Sequence, residues 1–255
     1  MASTASPIES SSATIHKGVA PLRAGQGNSF VLRRLHSLTG IVPIGAFLVE
    51  HFISNSEAVH GVQAYNDQVK FLTGLPFVHV LEWVFIFIPL IYHALYGLWI
   101  WYRGDSNVGD YPWTGNWLYT AQRWTGIVAM IYITYHVIDM RFTGVHLMGG
   151  GYQYAFSKVW YTFKEPFRIT FYVVGIVAAS WHFSYGLWLF AAKWGITVGE
   201  QARRKFGYVC LILAIALVAV GIYTIVGFVQ VPMDQVPPLP PESSFLSGHV
   251  LNIFC

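Results

Sequence analysis

The chain has 255 residues, of which 55% are hydrophobic and only 11% are charged, and its formal net charge is +3 at pH 7. Its mean hydropathy of +0.48 and its few charged residues exclude an ordinary soluble domain, in which about 25% of residues are charged. The two cysteines, Cys210 and Cys255, are too few for a thiolate cluster, and the sequence has no Cys-x-x-Cys-His motif for covalent haem. We therefore predict an all-α integral membrane protein.

Three regions follow one another along the chain. Residues 1–29 are polar and contain no apolar segment of the kind that marks a signal peptide. Residues 30–230 contain five segments long enough to cross a bilayer, at 34–54, 77–102, 121–141, 168–193 and 206–230. Residues 231–255 form a Pro-rich tail that we expect to be extended.

Lysine and arginine are more abundant at the segment ends that share a side with the N-terminus. The positive-inside rule therefore predicts a cytoplasmic N-terminus and, with five spans, an extracytoplasmic C-terminus.

Four histidines lie within the first four apolar segments, one in each: His51, His93, His136 and His182. Ionisable residues are costly in hydrocarbon, so an intramembrane histidine indicates a functional site. The helical rise places His51 and His136 in the outer leaflet and His93 and His182 in the inner leaflet, with the two levels about 15 Å apart. We predict two stacked bis-histidine metal centres in a bundle of the first four helices.

An internal repeat supports this pairing. The sequence His93-Ala-Leu-Tyr-Gly-Leu-Trp99 returns as His182-Phe-Ser-Tyr-Gly-Leu-Trp188. Gly97 lies one turn after His93, and Gly186 lies one turn after His182. Each glycine shares a helix face with its histidine, where the backbone could approach a flat macrocycle. A weaker repeat, Thr-Gly-Ile-Val, begins at Thr39 in the first segment and at Thr125 in the third. The repeats favour pairs between the first and third segments and between the second and fourth.

Haem b is the metal group that these pairs favour, because imidazole pairs without a nearby carboxylate or thiolate set suit axial ligation. Zinc or copper would need more convergent ligands. Arg34, His36 and Arg123 lie near the inner boundary and could bind the negative propionates of a haem. Alternatively, the arginines only orient the chain, and a single intramembrane histidine could simply bond a neighbouring helix.

Several motifs together resemble a known family. They are Arg33-Arg-Leu-His-Ser37, Pro89-Leu-Ile-Tyr-His-Ala-Leu-Tyr-Gly97, Gln122-Arg-Trp-Thr-Gly126 and the repeat that begins at His182. From about residue 29 to 230, the chain resembles the cytochrome b558 membrane-anchor subunit of bacterial succinate dehydrogenase.

The resemblance implies a five-helix anchor with two haems b in the bacterial inner membrane. His93 and His182 would hold the inner, proximal haem, and His51 and His136 the outer, distal haem. It also implies docking to a flavoprotein subunit that contains FAD and to an iron-sulfur subunit, which hold the succinate chemistry, so no catalytic residue is expected here. Electrons would pass through the inner and then the outer haem to a quinone, with menaquinone implied by the resemblance. Membrane lipid is also expected as a partner, and nucleic acid is not.

Quinone reduction consumes two protons and requires a polar route near the outer pair. Glu82 is the first candidate, with His79, Glu50 and Asp139 at similar depth, although each carboxylate could equally be an interfacial group. Some fumarate reductases of this superfamily carry a glutamate two residues before the fourth ligand, where this chain has Ser180, so the sequence favours succinate oxidation.

Three alternatives stay open at this stage. The chain could be the anchor of a fumarate reductase that runs in reverse, or of another redox enzyme such as a hydrogenase or formate dehydrogenase. From a different class, it could be a proton-coupled transporter that uses intramembrane histidines as proton relays.

Overall fold

The structure, a computed structural model, describes residues 26–143, 145 and 151–240. Most of the predicted N-terminal segment and the tail beyond residue 240 lie outside the described residues. Within the described ranges the chain is helical and has no strand. The α-helices are α1 (Gln26–Ile41), α2 (Pro43–Ser56), α3 (Val62–Thr73), α4 (Val78–Leu81), α5 (Ile88–Tyr102), α6 (Thr114–Val137), α7 (Ala155–Thr162), α8 (Pro166–Lys193) and α9 (Glu200–Val229).

Four helical stretches of the described chain are long and apolar enough to cross a membrane. They are Ser29–His60, Val78–Tyr102, Pro166–Lys193 and Glu200–Val229. They overlap the first, second, fourth and fifth predicted spans, so the described part of the chain has the helical class that the sequence predicts and four candidate membrane spans. The third predicted span falls on α6, which is long enough but less apolar because it carries polar residues such as Gln122, Arg123 and Thr125.

The regular α-helical geometry changes at three places. Pro43 begins α2 directly after Val42 ends the α1 geometry, because proline has no N–H to continue the hydrogen-bond ladder. Pro89 lies in the first turn of α5, after a π-helical turn, Glu82–Phe87. A second π-helical turn, Ile138–Phe142, extends α6. Such turns widen a helix locally and often occur at functional sites.

Helix α8 connects the other long helices. Helix α8 lies against both α6 and α9, and α1 lies against α5 and α8. A buried apolar cluster lies at the end of the bundle where α3, α7 and the C-terminal end of α9 meet, and we call it the α3/α7 cap. Its central side chains are Tyr65, Phe156, Trp160 and Phe228.

The first part of the Pro-rich tail also belongs to this cap. Val236 is 6% exposed within the cluster. The indole of Trp160 donates a hydrogen bond of 3.0 Å to the Val231 carbonyl. The cap therefore holds residues from the tail as well as from the helical connections.

Candidate functional site

His93 on α5 and His182 on α8 face each other. Their ring centroids are 6.2 Å apart and the ring planes cross at 85°. Nδ1 of His93 lies 2.9 Å from the carbonyl oxygen of His36, and Nδ1 of His182 lies 3.0 Å from that of Gln122. An imidazole that donates from Nδ1 to a carbonyl presents Nε2 as its free ligand atom, the arrangement usual for metal-bound histidine.

Two glycines on neighbouring helices make room for these rings. A Cβ at Gly40 of α1 would collide with the His93 imidazole, and a Cβ at Gly126 of α6 would lie 2.7 Å from Cε1 of His182. These glycines belong to the two Thr-Gly-Ile-Val repeats. Sequence reasoning used the repeats for helix pairing but missed that each glycine contacts a histidine of the other pair.

The glycines after the two histidines have different neighbours. A Cβ at Gly97 would lie 3.1 Å from Cε1 of His36, and one at Gly186 would lie 3.4 Å from Nε2 of Gln122. The His36 ring stacks on His93 with centroids 4.0 Å apart and planes 13° apart. His36 is therefore partly buried beside the site, and the approach of a macrocycle to Gly97 and Gly186 stays a prediction.

Gln122 was missed as a site residue. Its carbonyl anchors His182, and its side-chain amide donates a 3.0 Å hydrogen bond to the carbonyl of the same histidine. It holds the place on α6 that His36 holds on α1, four residues before the glycine of each repeat. The repeat was the signal that could have revealed it. Nδ1 of His36 and Oε1 of Gln122 are buried without a hydrogen-bond partner among the described residues.

His51 on α2 and His136 on α6 form a second pair. Their centroids are 5.6 Å apart and their planes cross at 75°. Nδ1 of His136 lies 3.3 Å from the Tyr172 hydroxyl. The Asn55 amide lies 3.3 Å from Nδ1 of His51 and donates a 2.8 Å hydrogen bond to its carbonyl. Side chains, rather than backbone carbonyls of another helix, surround this pair.

A cavity of about 750 Å³ adjoins the second pair, with His51 and His136 in its wall. Its volume lies within the range of about 300–1,000 Å³ typical of small-molecule and cofactor sites. Most of the lining is apolar, and its charged side chains are Glu50, Glu82 and Lys158. The cavity extends from the histidines to the connection between α3 and α4.

The acidic candidates near this cavity have partners. Both carboxylate oxygens of Glu82 accept hydrogen bonds from Arg141, at 3.0 and 3.3 Å. His79 lies 3.7 Å from the same carboxylate. Asp139 forms an ion pair of 3.2 Å with Arg168. Glu50 accepts a hydrogen bond from Ser54, which also accepts one of 3.2 Å from Gln68.

The two arginine candidates lie at helix ends. Arg34 donates a 2.6 Å hydrogen bond to the Lys193 carbonyl at the end of α8, and its guanidinium lies 5.1 Å from the Trp194 ring. Arg123 donates hydrogen bonds to the carbonyl of Trp101 in the last turn of α5 and to that of Gly104 beyond its end. Cations at these positions satisfy carbonyls that have no partner within the helix. Contact with a propionate stays a prediction for both.

The donor chemistry of the two pairs suits haem better than a free metal ion. No group of three or more histidine, cysteine, aspartate or glutamate residues in the described part of the chain could hold a metal ion. Each pair supplies two imidazoles from different helices, which is the ligand set of a bis-histidine haem. A zinc site would need three or four protein ligands.

Two comparisons with known proteins identify the family of this chain. A family model described as the succinate dehydrogenase/fumarate reductase transmembrane subunit matches residues 105–221. The chain is 41% identical over 200 residues to the succinate dehydrogenase cytochrome b558 subunit of Bacillus subtilis (strain 168). The matched region covers 78% of this chain and 97% of that relative. Similarity over almost the whole relative favours neither a transporter nor the other redox anchors. The chain therefore belongs to the family of succinate dehydrogenase cytochrome b membrane subunits.

Proposed function

We propose that this membrane subunit carries two haems b and conducts electrons between an iron-sulfur partner subunit and a quinone. The observation that carries the proposal is the presence of two crossed imidazole pairs, each drawn from two different helices. Haem b, when bound, supplies one-electron transfer. The succinate chemistry would take place in the partner subunits, which include a flavoprotein with FAD.

His93 and His182 would hold the inner haem, and His51 and His136 the outer haem. The chain's contribution at the inner pair is orientation, because the carbonyls of His36 and Gln122 fix the two rings. Arg34, His36 and Arg123 would bind the propionates. Gly97 and Gly186 would face the macrocycles.

The orientation in the membrane follows from charge. Arg34, Arg123 and Lys193 lie at the end of the bundle nearer the His93–His182 pair. With α6 as a fifth span, the positive-inside rule places this end and the N-terminus in the cytoplasm and the α3/α7 cap outside. The iron-sulfur and flavoprotein subunits would dock at the cytoplasmic end.

The quinone would react at the cavity beside the outer pair. Quinone reduction needs two electrons and two protons, so the site requires groups that pass protons. Glu82 lines the cavity and begins a π-helical turn, and its partner Arg141 lies on the other π-helical turn. We assign proton delivery to Glu82 with His79, and secondary roles to Glu50 and Asp139. The expected acceptor is menaquinone, with electron flow in the direction of succinate oxidation.

Haem quantification on purified protein tests this proposal. The wild type should contain two haems b per chain by pyridine haemochrome, and His51→Ala, His93→Ala, His136→Ala and His182→Ala should each reduce the content to one or none. His60→Ala is the matched control, because the side chain of this histidine is 66% exposed and forms an ion pair with Glu57. A wild type without haem b, or a loss of haem in the control alone, would contradict the assignment.

A further inference from the structure

Lys158 on α7 is a buried cation, with 8% of the residue exposed. Its Nζ donates hydrogen bonds to the backbone carbonyls of Met140 at 2.9 Å, Thr143 at 2.6 Å and Val145 at 3.2 Å. An ammonium group has three donors. The three carbonyls therefore satisfy its hydrogen bonds but bring no negative charge.

The charged groups around Lys158 balance one another. Asp139 is paired with Arg168, and Glu82 is paired with Arg141. Burial lowers the pKa of Lys158 to about 8, with Asp139 opposing the shift and Arg141 adding to it. The ammonium form predominates at pH 7. Among the described residues, no carboxylate forms an ion pair with it.

Lys158 lines the same cavity as His51 and His136. A cation beside a metal centre in a poorly polarisable environment favours the form of that centre that carries one more electron. We propose that Lys158 raises the reduction potential of the haem held by His51 and His136 and so favours electron transfer toward the quinone side. This inference rests on the proposed function, because it requires a haem at that pair.

The size of the effect follows from Coulomb's law. Two unit charges separated by on the order of 10 Å, at an effective dielectric constant of about 20, change an equilibrium by about tenfold. The ratio of reduced to oxidised outer haem should therefore fall about tenfold in Lys158→Met at a fixed solution potential. That ratio corresponds to a midpoint lower by about 59 mV for one electron.

The experiment is a spectroscopic redox titration of the complete purified complex. Lys158→Met and Lys158→Gln remove the charge, and Gln keeps donors for the carbonyls, whereas Lys158→Arg keeps the charge. The midpoint potential of the outer haem should fall in the Met and Gln variants. In the Arg variant the ratio of reduced to oxidised haem should change by less than about twofold, which is about 20 mV at about 59 mV per tenfold change. The inner haem should not change. Lys164→Met is the control, because it removes a charge of the same sign from the same connection at an exposed position.

Haem content is measured first, so that the two proposals can fail separately. A wild type without a second haem would refute the proposed function. Two haems with an unchanged outer midpoint in Lys158→Met and Lys158→Gln would refute only the role of Lys158. Loss of the outer haem in both uncharged variants, with retention in Lys158→Arg, would also refute the effect of Lys158 on the reduction potential. Lys158 would then stabilise the structure at the end of α6.

Discussion

Adding one methyl group at Gly126 should displace His182 and impair binding of the haem that we propose for this histidine. A Cβ at this position would lie 2.7 Å from Cε1 and 3.1 Å from Nδ1 of His182. Ordinary van der Waals contact between such atoms begins at about 3.4 Å, so the ring or the helix must move by about 0.7 Å. The ring is held by a 3.0 Å contact to the Gln122 carbonyl on the same helix as Gly126, so it cannot move without straining that contact.

The magnitude follows from the cost of overpacking. Extra methyl groups in a packed interior cost about 1–3 kcal/mol, and 1.4 kcal/mol corresponds to a tenfold change in an equilibrium. Gly126→Ala should therefore weaken haem retention at the His93–His182 pair by about tenfold or more, although alanine favours a helix over glycine by about 1 kcal/mol.

The assay is haem retention during titration with apomyoglobin as a haem acceptor, followed by pyridine haemochrome. Gly115→Ala is the matched control, because Gly115 lies on the same helix and a Cβ there meets nothing within 4 Å. The control should bind haem as the wild type does. Equal retention in Gly126→Ala and Gly115→Ala would refute the reasoning, because it would show that the ring does not need the space beside Gly126.

Three further changes have expected outcomes. Tyr172→Phe removes the hydroxyl beside Nδ1 of His136 and should weaken haem binding at the outer pair by about 10-fold, as loss of such partners does at metal sites; unchanged binding of the outer haem would contradict this. Glu82→Gln should keep both haems but lower quinone reduction by about 10-fold or more in a succinate:quinone assay, and full activity would exclude Glu82 from proton delivery. Trp160→Phe removes the hydrogen bond to Val231 and should lower the free energy of unfolding by about 1–3 kcal/mol, seen as a lower melting temperature with unchanged haem spectra; an unchanged melting temperature would mean that the tail adds no stability.

Local properties of the sequence determined the membrane class, most of the candidate span positions and the presence of one histidine in each of the first four apolar segments. Hydropathy and residue identity act over a single helix, so these features need no knowledge of packing. Hydropathy is a weaker guide for helix α6. Its polar residues, including Gln122 and Arg123, lower its hydropathy, yet they donate hydrogen bonds to carbonyls of neighbouring helices.

Only the tertiary structure decided which atoms of different helices meet. The contact of Gly126 with His182, the anchoring of His93 by the His36 carbonyl and the pairing of Glu82 with Arg141 each join helices that are distant in sequence. The burial of Lys158 against three carbonyls likewise depends on how α7 packs against the end of α6. Sequence spacing specifies the face and depth of a residue on its own helix, but the rotation and crossing of the helices determine its neighbours.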